Sequence, residues 1–340
     1  MFDDQNNRGQ VKPLHGGNLT AAAETFGTPK DGWIDLSTGI NAACYPNTDI
    51  TENALRMLPT PGEVEHLLHA ARHFYRVPPG PHIIAAPGTQ SVLQNLPLLY
   101  PGRRVVILSP TYSEHRHTWE QAGNDVVAYT AFDELAASDI AVLVNPNNPD
   151  GRRYQPDELL KLAETVELLI IDEAFCDGSP DLSIVPHLGG GNILVLRSLG
   201  KFFGLAGLRL GFVIGAPEIT QALEERLGPW AVSGPAIEIG GRALSDQAWI
   251  SDMQETLTDQ SARLNKLLQS HSLSIVGGTE LFTLVETDKA LNIYNALGKA
   301  GILVRRFEDQ PHWLRIGLAG AENEWQRLAA ALNAIDNMGE

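Results

Sequence analysis

The chain has 340 residues, of which 43% are hydrophobic and 19% charged, and it carries a net charge of −16. Such proportions describe a globular protein of about two domains, and the acidic balance excludes nucleic acid or an anionic membrane surface as a bulk partner, since either needs a basic face. The two cysteines, Cys44 and Cys176, are far apart and form no C-x-x-C pair, so no disulfide framework and no metal site are expected, and a reducing, cytoplasmic setting is.

The opening MFDDQNNRGQ is polar and lacks an apolar core of the signal type, and no later run approaches the about 18 apolar residues of a membrane span. From Val64 to Gly215 short apolar runs alternate with amphipathic stretches: HIIAAP, RVVILSP, DVVAYT, IAVLVNP, ELLIIDEA and NILVLRS among the first, EVEHLLHAARHFYR, SEHRHTWEQAG and PDELLKLAETV among the second. Near-continuous Val/Ile/Leu runs suit strands buried on both faces, so an α/β, mainly parallel, doubly wound sheet is expected. Loops after those strands then lie along one edge, where such sheets bind ligands. Beyond Trp230 the pattern changes to a long helix at about 246–269, then strands at SLSIVGG, ELFTLVE, ILVRRF and WLRIGLA with helices between and after them. We expect a large domain over 45–232 and a smaller α+β domain over 233–340, completed by the segment 1–44.

The chemistry-bearing residues cluster at predicted strand ends. Gly88, Thr89 and Gln90 follow HIIAAP and open a helix, a place where backbone N–H groups and a hydroxyl hold a phosphate. Tyr112, after RVVIL, offers an aromatic face, and Asn148 lies in the rigid turn NPNNPDG. Asp172 ends an apolar strand, where a carboxylate needs a cationic partner, and alternation turns Glu173 to the opposite face. Lys201 sits between Gly200 and Phe202-Phe203. Burial lowers a lysine pKa and exposes a neutral, nucleophilic amine, and the two phenylalanines are expected to keep it dry. Ser198 and Arg209 supply a hydroxyl and a guanidinium for a phosphate dianion. A phosphate, a buried carboxylate, an amine and a flat aromatic face together describe pyridoxal 5′-phosphate. Nucleotide alternatives fail on spacing: Gly200-Lys201 is followed by Phe202 rather than Ser or Thr, and the glycines at 204, 207 and 211 do not follow G-x-G-x-x-G.

The ordered set PGTQ, SPTY, NPNNPDG, DEAF, SLGK and GLRLG resembles the fold-type I pyridoxal-phosphate enzymes of the aspartate aminotransferase superfamily, and within it the branch of histidinol-phosphate aminotransferases and threonine-phosphate decarboxylases. The resemblance implies a homodimer in which Lys201 holds the cofactor aldehyde, Asp172 pairs with the pyridinium and Tyr112 stacks on the ring. It further implies that Asn148 bonds the ring oxygen, that Gly88, Thr89, Gln90, Ser198 and Arg209 surround the phosphate, and that Arg315 binds a substrate anion. His15 and Asn18 of HGGN, the run DLSTGIN, Phe175 in place of a tyrosine, and the stretch Pro229-Trp230 with Val232 and Ser233 resemble the decarboxylases. They imply that 1–44 contributes to the site of a small phosphorylated amino acid. Arg305 is a further candidate for an anion, with Arg306 turned the other way by alternation. Leu58 and Gly200 depart from the pattern, which more often has a tyrosine and a serine or threonine there. An aminotransferase acting on histidinol phosphate and a catalytically silent cofactor-binding regulator are the alternatives.

Overall fold

In the computed structural model of the chain, residues 15–136 and 138–337 are described; the polar opening at 1–10 lies outside them. The strands in chain order are β1 (Ile34–Asp35), β2 (His82–Ala86), β3 (Arg104–Leu108), β4 (Asp125–Tyr129), β5 (Ile140–Val144), β6 (Leu168–Asp172), β7 (Ile193–Ser198), β8 (Gly211–Gly215), β9 (Ser274–Thr279), β10 (Phe282–Glu286), β11 (Ile302–Leu303), β12 (Arg305–Arg306) and β13 (Trp313–Gly317). Strands β2 to β8 form one sheet in the order β2-β8-β7-β6-β5-β3-β4. All its pairings are parallel except those of β8, which runs antiparallel between β2 and β7. Every residue of β5, β6 and β8 is buried, as their unbroken apolar runs require. Along β3 the side chains alternate between two cores: Val106 and Leu108 join one, Val105 and Ile107 the other. Helix Pro61–Phe74 covers the first face with Leu67, Leu68 and Ala71, and helices Thr89–Asn95 and Pro217–Leu227 cover the second with Val92, Leu93 and Leu223. The sheet is thus wound on both sides, the arrangement expected of it.

A second sheet, antiparallel, has the order β12-β13-β10-β9. The N-terminal segment forms a separate two-stranded sheet beside it, β1 pairing in parallel with β11; Leu36 N–H donates to Leu303 O at 2.8 Å, and Gly317 N–H of β13 donates to Leu36 O at 2.7 Å. Helix Leu19–Phe26 packs Phe26 edge-on to Tyr294, with ring centroids 5.6 Å apart. The run ILVRRF, read as one strand, divides into β11 and β12, which pair with different partners on either side of buried Val304. The long helix spans Gln247–Ser270, with Asp246 as its N-cap accepting from Trp249 N–H at 3.1 Å.

Alternation at the end of β6 separates two carboxylates. Asp172 faces the edge cavity, and Glu173 turns away to accept from Ser183 Oγ at 2.7 Å, from Ile184 N–H at 2.8 Å and from Arg197. Arg197, which also pairs with Asp177, precedes Ser198, so one buried ion cluster fixes the ends of β6 and β7 together. Leaving a member of such a cluster unpaired typically costs about 3–5 kcal/mol. Among the described residues no helix is long and apolar enough to cross a membrane.

Candidate active site

The parallel strands end along one edge of the large sheet, and β8 begins there, because Ala86 of β2 and Ser198 of β7 both lie opposite Gly211. The turn after β2, the end of β7 and the residues before β8 therefore meet at the mouth of a cavity of about 540 Å³. Gly88 has φ +77°, a backbone conformation that favours glycine, and a Cβ there would lie 2.8 Å from Arg209 Nη2 and push the guanidinium from its place. Arg209 itself is left-handed at φ 54°, a strained setting for a side-chain-bearing residue. Among the described residues no side chain caps the first turn of helix Thr89–Asn95. Its backbone donors, with Thr89, Ser198 and Arg209, make one positively polarised corner of the cavity.

Asp172 lies deeper. Its Oδ2 is 3.0 Å from His115 Nε2 and its Oδ1 accepts from Ala174 N–H at 3.0 Å. His115 is fully buried, and its Nδ1 has no partner among the described residues. A bare lone pair tolerates that better than an N–H does, so the ring proton belongs on Nε2, where it is donated to Asp172. Tyr112, the N-terminal neighbour of helix Ser113–Gln121, stands over the cavity, donates to Gln90 Oε1 at 3.2 Å and meets His115 edge-on at 6.1 Å. Burial first, then Glu114 and Asp172, push its phenol up to about 12, so it keeps its proton and serves as a face.

Lys201 also lines the cavity. Burial, with the charge of Arg315 beside it, pushes its pKa down to about 8 despite Asp172. The phenylalanines expected to shield it do not. Phe202 and Phe203 point into the core, where Phe203 stacks on Trp249 at 5.5 Å, because the chain after Lys201 dives toward the long helix. Phe175 shields it instead, with its ring centroid 5.2 Å from Nζ. A lysine titrating near 8 is roughly one-tenth neutral at pH 7, against fewer than about one in a thousand at the ordinary value. Capture of an aldehyde by the unloaded protein is therefore expected to accelerate about tenfold per pH unit up to about pH 7.5 and to level off above about pH 8.5, as followed by absorbance. A rate still climbing at pH 10 would contradict this.

Across the cavity, Arg305 of β12 and Arg315 of β13 are directly opposed in register. Like charges placed so are destabilising, and both guanidiniums are pushed down in pKa by burial, Arg315 further by Arg305, to about 9. Both remain cationic at neutral pH, and both line the cavity. Arg315 donates to Asn148 Oδ1 and, at 2.6 Å, to Ser37 O. Arg306 turns away over Tyr294, as alternation requires.

Of the residues singled out from sequence, Asn18 does not line the cavity: its amide oxygen accepts from Ala21 N–H at 3.0 Å as the N-cap of helix Leu19–Phe26. That local bond holds the side chain on its own helix. His15 does line it, its Nε2 3.0 Å from Glu114 Oε1. His115 and Glu114 were not picked out by sequence, and Ser37 only as part of the run DLSTGIN. For His115 a signal was present, since the third residue after Tyr112 returns to the same helix face.

A doubly wound sheet with a half-buried lysine and a buried carboxylate at its carboxyl edge is the arrangement of an enzyme of the aminotransferase type, and the fold is aspartate aminotransferase-like, type I. The chain belongs to the aminotransferase class I and II family, which it matches over residues 46–332. It is 43% identical over 330 residues to a threonine-phosphate decarboxylase of Sinorhizobium sp, covering 95% of this chain and 98% of that one. It is 40% identical over 325 residues to a threonine-phosphate decarboxylase of Pseudomonas aeruginosa, covering 94% and 96% respectively. Among solved structures, a histidinol-phosphate aminotransferase from Sinorhizobium meliloti in complex with pyridoxal-5′-phosphate is similar with a TM-score of 0.85 at 22% identity, over 100% of this chain and 99% of that one; at that identity the likeness is one of fold.

The residues present fit pyridoxal 5′-phosphate. The Gly88–Arg209 corner suits a dianion, the buried Asp172 suits a protonated ring nitrogen, and the amine of Lys201 lies within the same cavity.

Proposed function

We propose that the protein is a pyridoxal-phosphate carboxy-lyase that converts L-threonine O-3-phosphate to (R)-1-amino-2-propanol O-2-phosphate and CO₂, a step of cobalamin biosynthesis. The observation that carries this reading is the opposed pair Arg305 and Arg315, which, with His15, lines a cavity that already holds Arg209 for the cofactor phosphate. A substrate bearing both a carboxylate and a phosphate relieves the repulsion of that pair, and 43% identity to a decarboxylase named for such a substrate supports the choice. Histidinol phosphate, with one anionic group, needs fewer cations.

When bound, the cofactor supplies a conjugated sink for the electron pair of the bond broken at Cα. The chain's own residues decide which bond that is. Arg305, Arg315 and His15 would hold the two anionic groups and so fix which bond at Cα is aligned for cleavage, the one to the carboxylate. Asp172, oriented by His115, keeps the ring nitrogen protonated. Tyr112 would offer its ring face to the cofactor, Asn148 its amide, and Gly88, Thr89, Gln90, Ser198 and Arg209 would hold its phosphate. Once CO₂ has left, Lys201 delivers a proton to Cα. We propose further that residues 45–232 form the cofactor domain and 233–340 the smaller domain, completed by 1–44, and that the protein works as a cytoplasmic homodimer. Leu55, Met57 and Leu58, exposed by 67%, 66% and 63% at the end of helix Glu52–Arg56, form an apolar patch suited to a second copy.

The test is turnover of L-threonine O-3-phosphate with equimolar CO₂ and no requirement for a 2-oxo acid. Turnover of histidinol phosphate that depends on a 2-oxo acid would overturn the reading.

A further inference from the structure

A cavity that collects cations for an anionic substrate also contains the carboxylate of Glu114, only 9% exposed, in the first turn of helix Ser113–Gln121. A buried carboxylate facing an incoming anion opposes binding unless it serves a neighbour. The other acids of the lining have such neighbours: Asp172 bonds His115, and Asp309 lies in the field of Arg305. The Oε2 of Glu114 accepts from Gln90 Nε2 at 2.7 Å, and its Oε1 lies 3.0 Å from His15 Nε2. His15, by contrast, is 47% exposed at the cavity mouth, its ring centroid 6.0 Å from that of Tyr112.

The backbone after His15 is fixed independently. Gly17 N–H donates to Ser37 Oγ at 2.7 Å, Ser37 Oγ donates to Asp35 Oδ1 at 2.5 Å, and a Cβ on Gly16 would lie 2.4 Å from Ser37 O. That same carbonyl accepts from Arg315. Ser37 therefore ties the peptide that carries His15 to the arginine across the cavity, and Glu114 fixes the remaining freedom, the rotation of the imidazole. With Nε2 turned to Glu114, Nδ1 is the ring nitrogen left for a ligand.

We infer that Glu114 is a specificity-determining positioning residue, which holds the His15 imidazole so that Nδ1 meets one anionic group of the substrate. The inference rests on the proposed substrate. Because the Glu114 carboxylate stands beside His15, this corner attracts anions weakly at long range and rewards one only where the imidazole reaches it, which favours selectivity over affinity.

In the holoenzyme, Glu114→Gln keeps an acceptor for Gln90 and removes the charge. It is expected to raise the KM for L-threonine O-3-phosphate about tenfold, the effect of one charge-assisted hydrogen bond, with a smaller loss in kcat. Its preference for L-threonine O-3-phosphate over L-threonine falls in parallel, and the absorption band of the bound cofactor stays in place. In a His15→Asn background the same substitution changes KM by less than about twofold, because the two side chains act as a unit. An undiminished effect in that background, an unchanged KM in the first, or a displaced cofactor band would each overturn the inference, the last by showing that Glu114 acts through Gln90 and Tyr112. If the unsubstituted enzyme uses histidinol phosphate instead, the proposed reaction fails, and the same cycle run on histidinol phosphate still decides the role of Glu114.

Discussion

Lys201→Ala is expected to lower turnover by at least about 10⁴-fold, since it removes both the amine that holds the cofactor aldehyde and the group that moves a proton at Cα. Stability should not fall with activity. The amine is buried and lowered in pKa by that burial and by Arg315, so the native fold carries an unfavourable charge there that alanine relieves. The expected signature is an unfolding midpoint equal to or above that of the parent, with the cofactor band shifted to that of the free aldehyde. Turnover within about tenfold of the parent would remove Lys201 from the chemistry and favour the reading as a silent cofactor-binding protein.

Asp172→Asn is expected to cost about 10³-fold in turnover, the scale of losing one well-placed electrostatic group at a reacting centre. The amide is the same shape but has one oxygen where Asp172 uses two: that oxygen keeps the bond from Ala174 N–H, made at 3.0 Å to Oδ1, while its NH2 takes the place of Oδ2 and donates to His115 Nε2, whose ring proton moves to Nδ1. What is lost is charge. With that charge gone, the ring nitrogen has no anionic partner to favour its protonated form, and the electron sink weakens. Folding stability should change little, since the gain from replacing a buried carboxylate by a neutral group is offset by the buried Nδ1–H of His115. A large loss of stability together with activity would mean that Asp172 matters for the fold instead.

The sheet was legible because burial leaves a mark on composition: IAVLV and LLIID are apolar without a break, and both strands are buried throughout. The site was legible where backbone topology dictates it. Asp172, Ser198 and Asn148 follow strand ends, and strand ends share an edge. Direction of side chains was less legible. Phe202 and Phe203 lie beside Lys201 in sequence, yet they belong to the core with Trp249, and Phe175, after a different strand, covers the amine. Asn18 was read for its chemistry, but an asparagine before LTAAAETF is first of all a helix cap. Glu114 and His115 lie in SEHRHTWEQAG, whose charge suggests a solvated helix, yet both are buried. The first turn of that helix enters the cavity, which only the placement of β3 beside β5, itself paired with β6, decides. The opposition of Arg305 and Arg315 likewise depends on the register of β12 with β13, and no local pattern records it.

The central claim is that the bond from Cα to the carboxylate breaks while the bond from Cα to hydrogen survives. It is tested most directly by the fate of deuterium in L-threonine O-3-phosphate labelled at Cα and turned over in ordinary water. The account predicts one CO₂ per substrate and a product that retains the deuterium at its amine-bearing carbon, beside one hydrogen from solvent. Loss of the deuterium to water without release of CO₂ would contradict it.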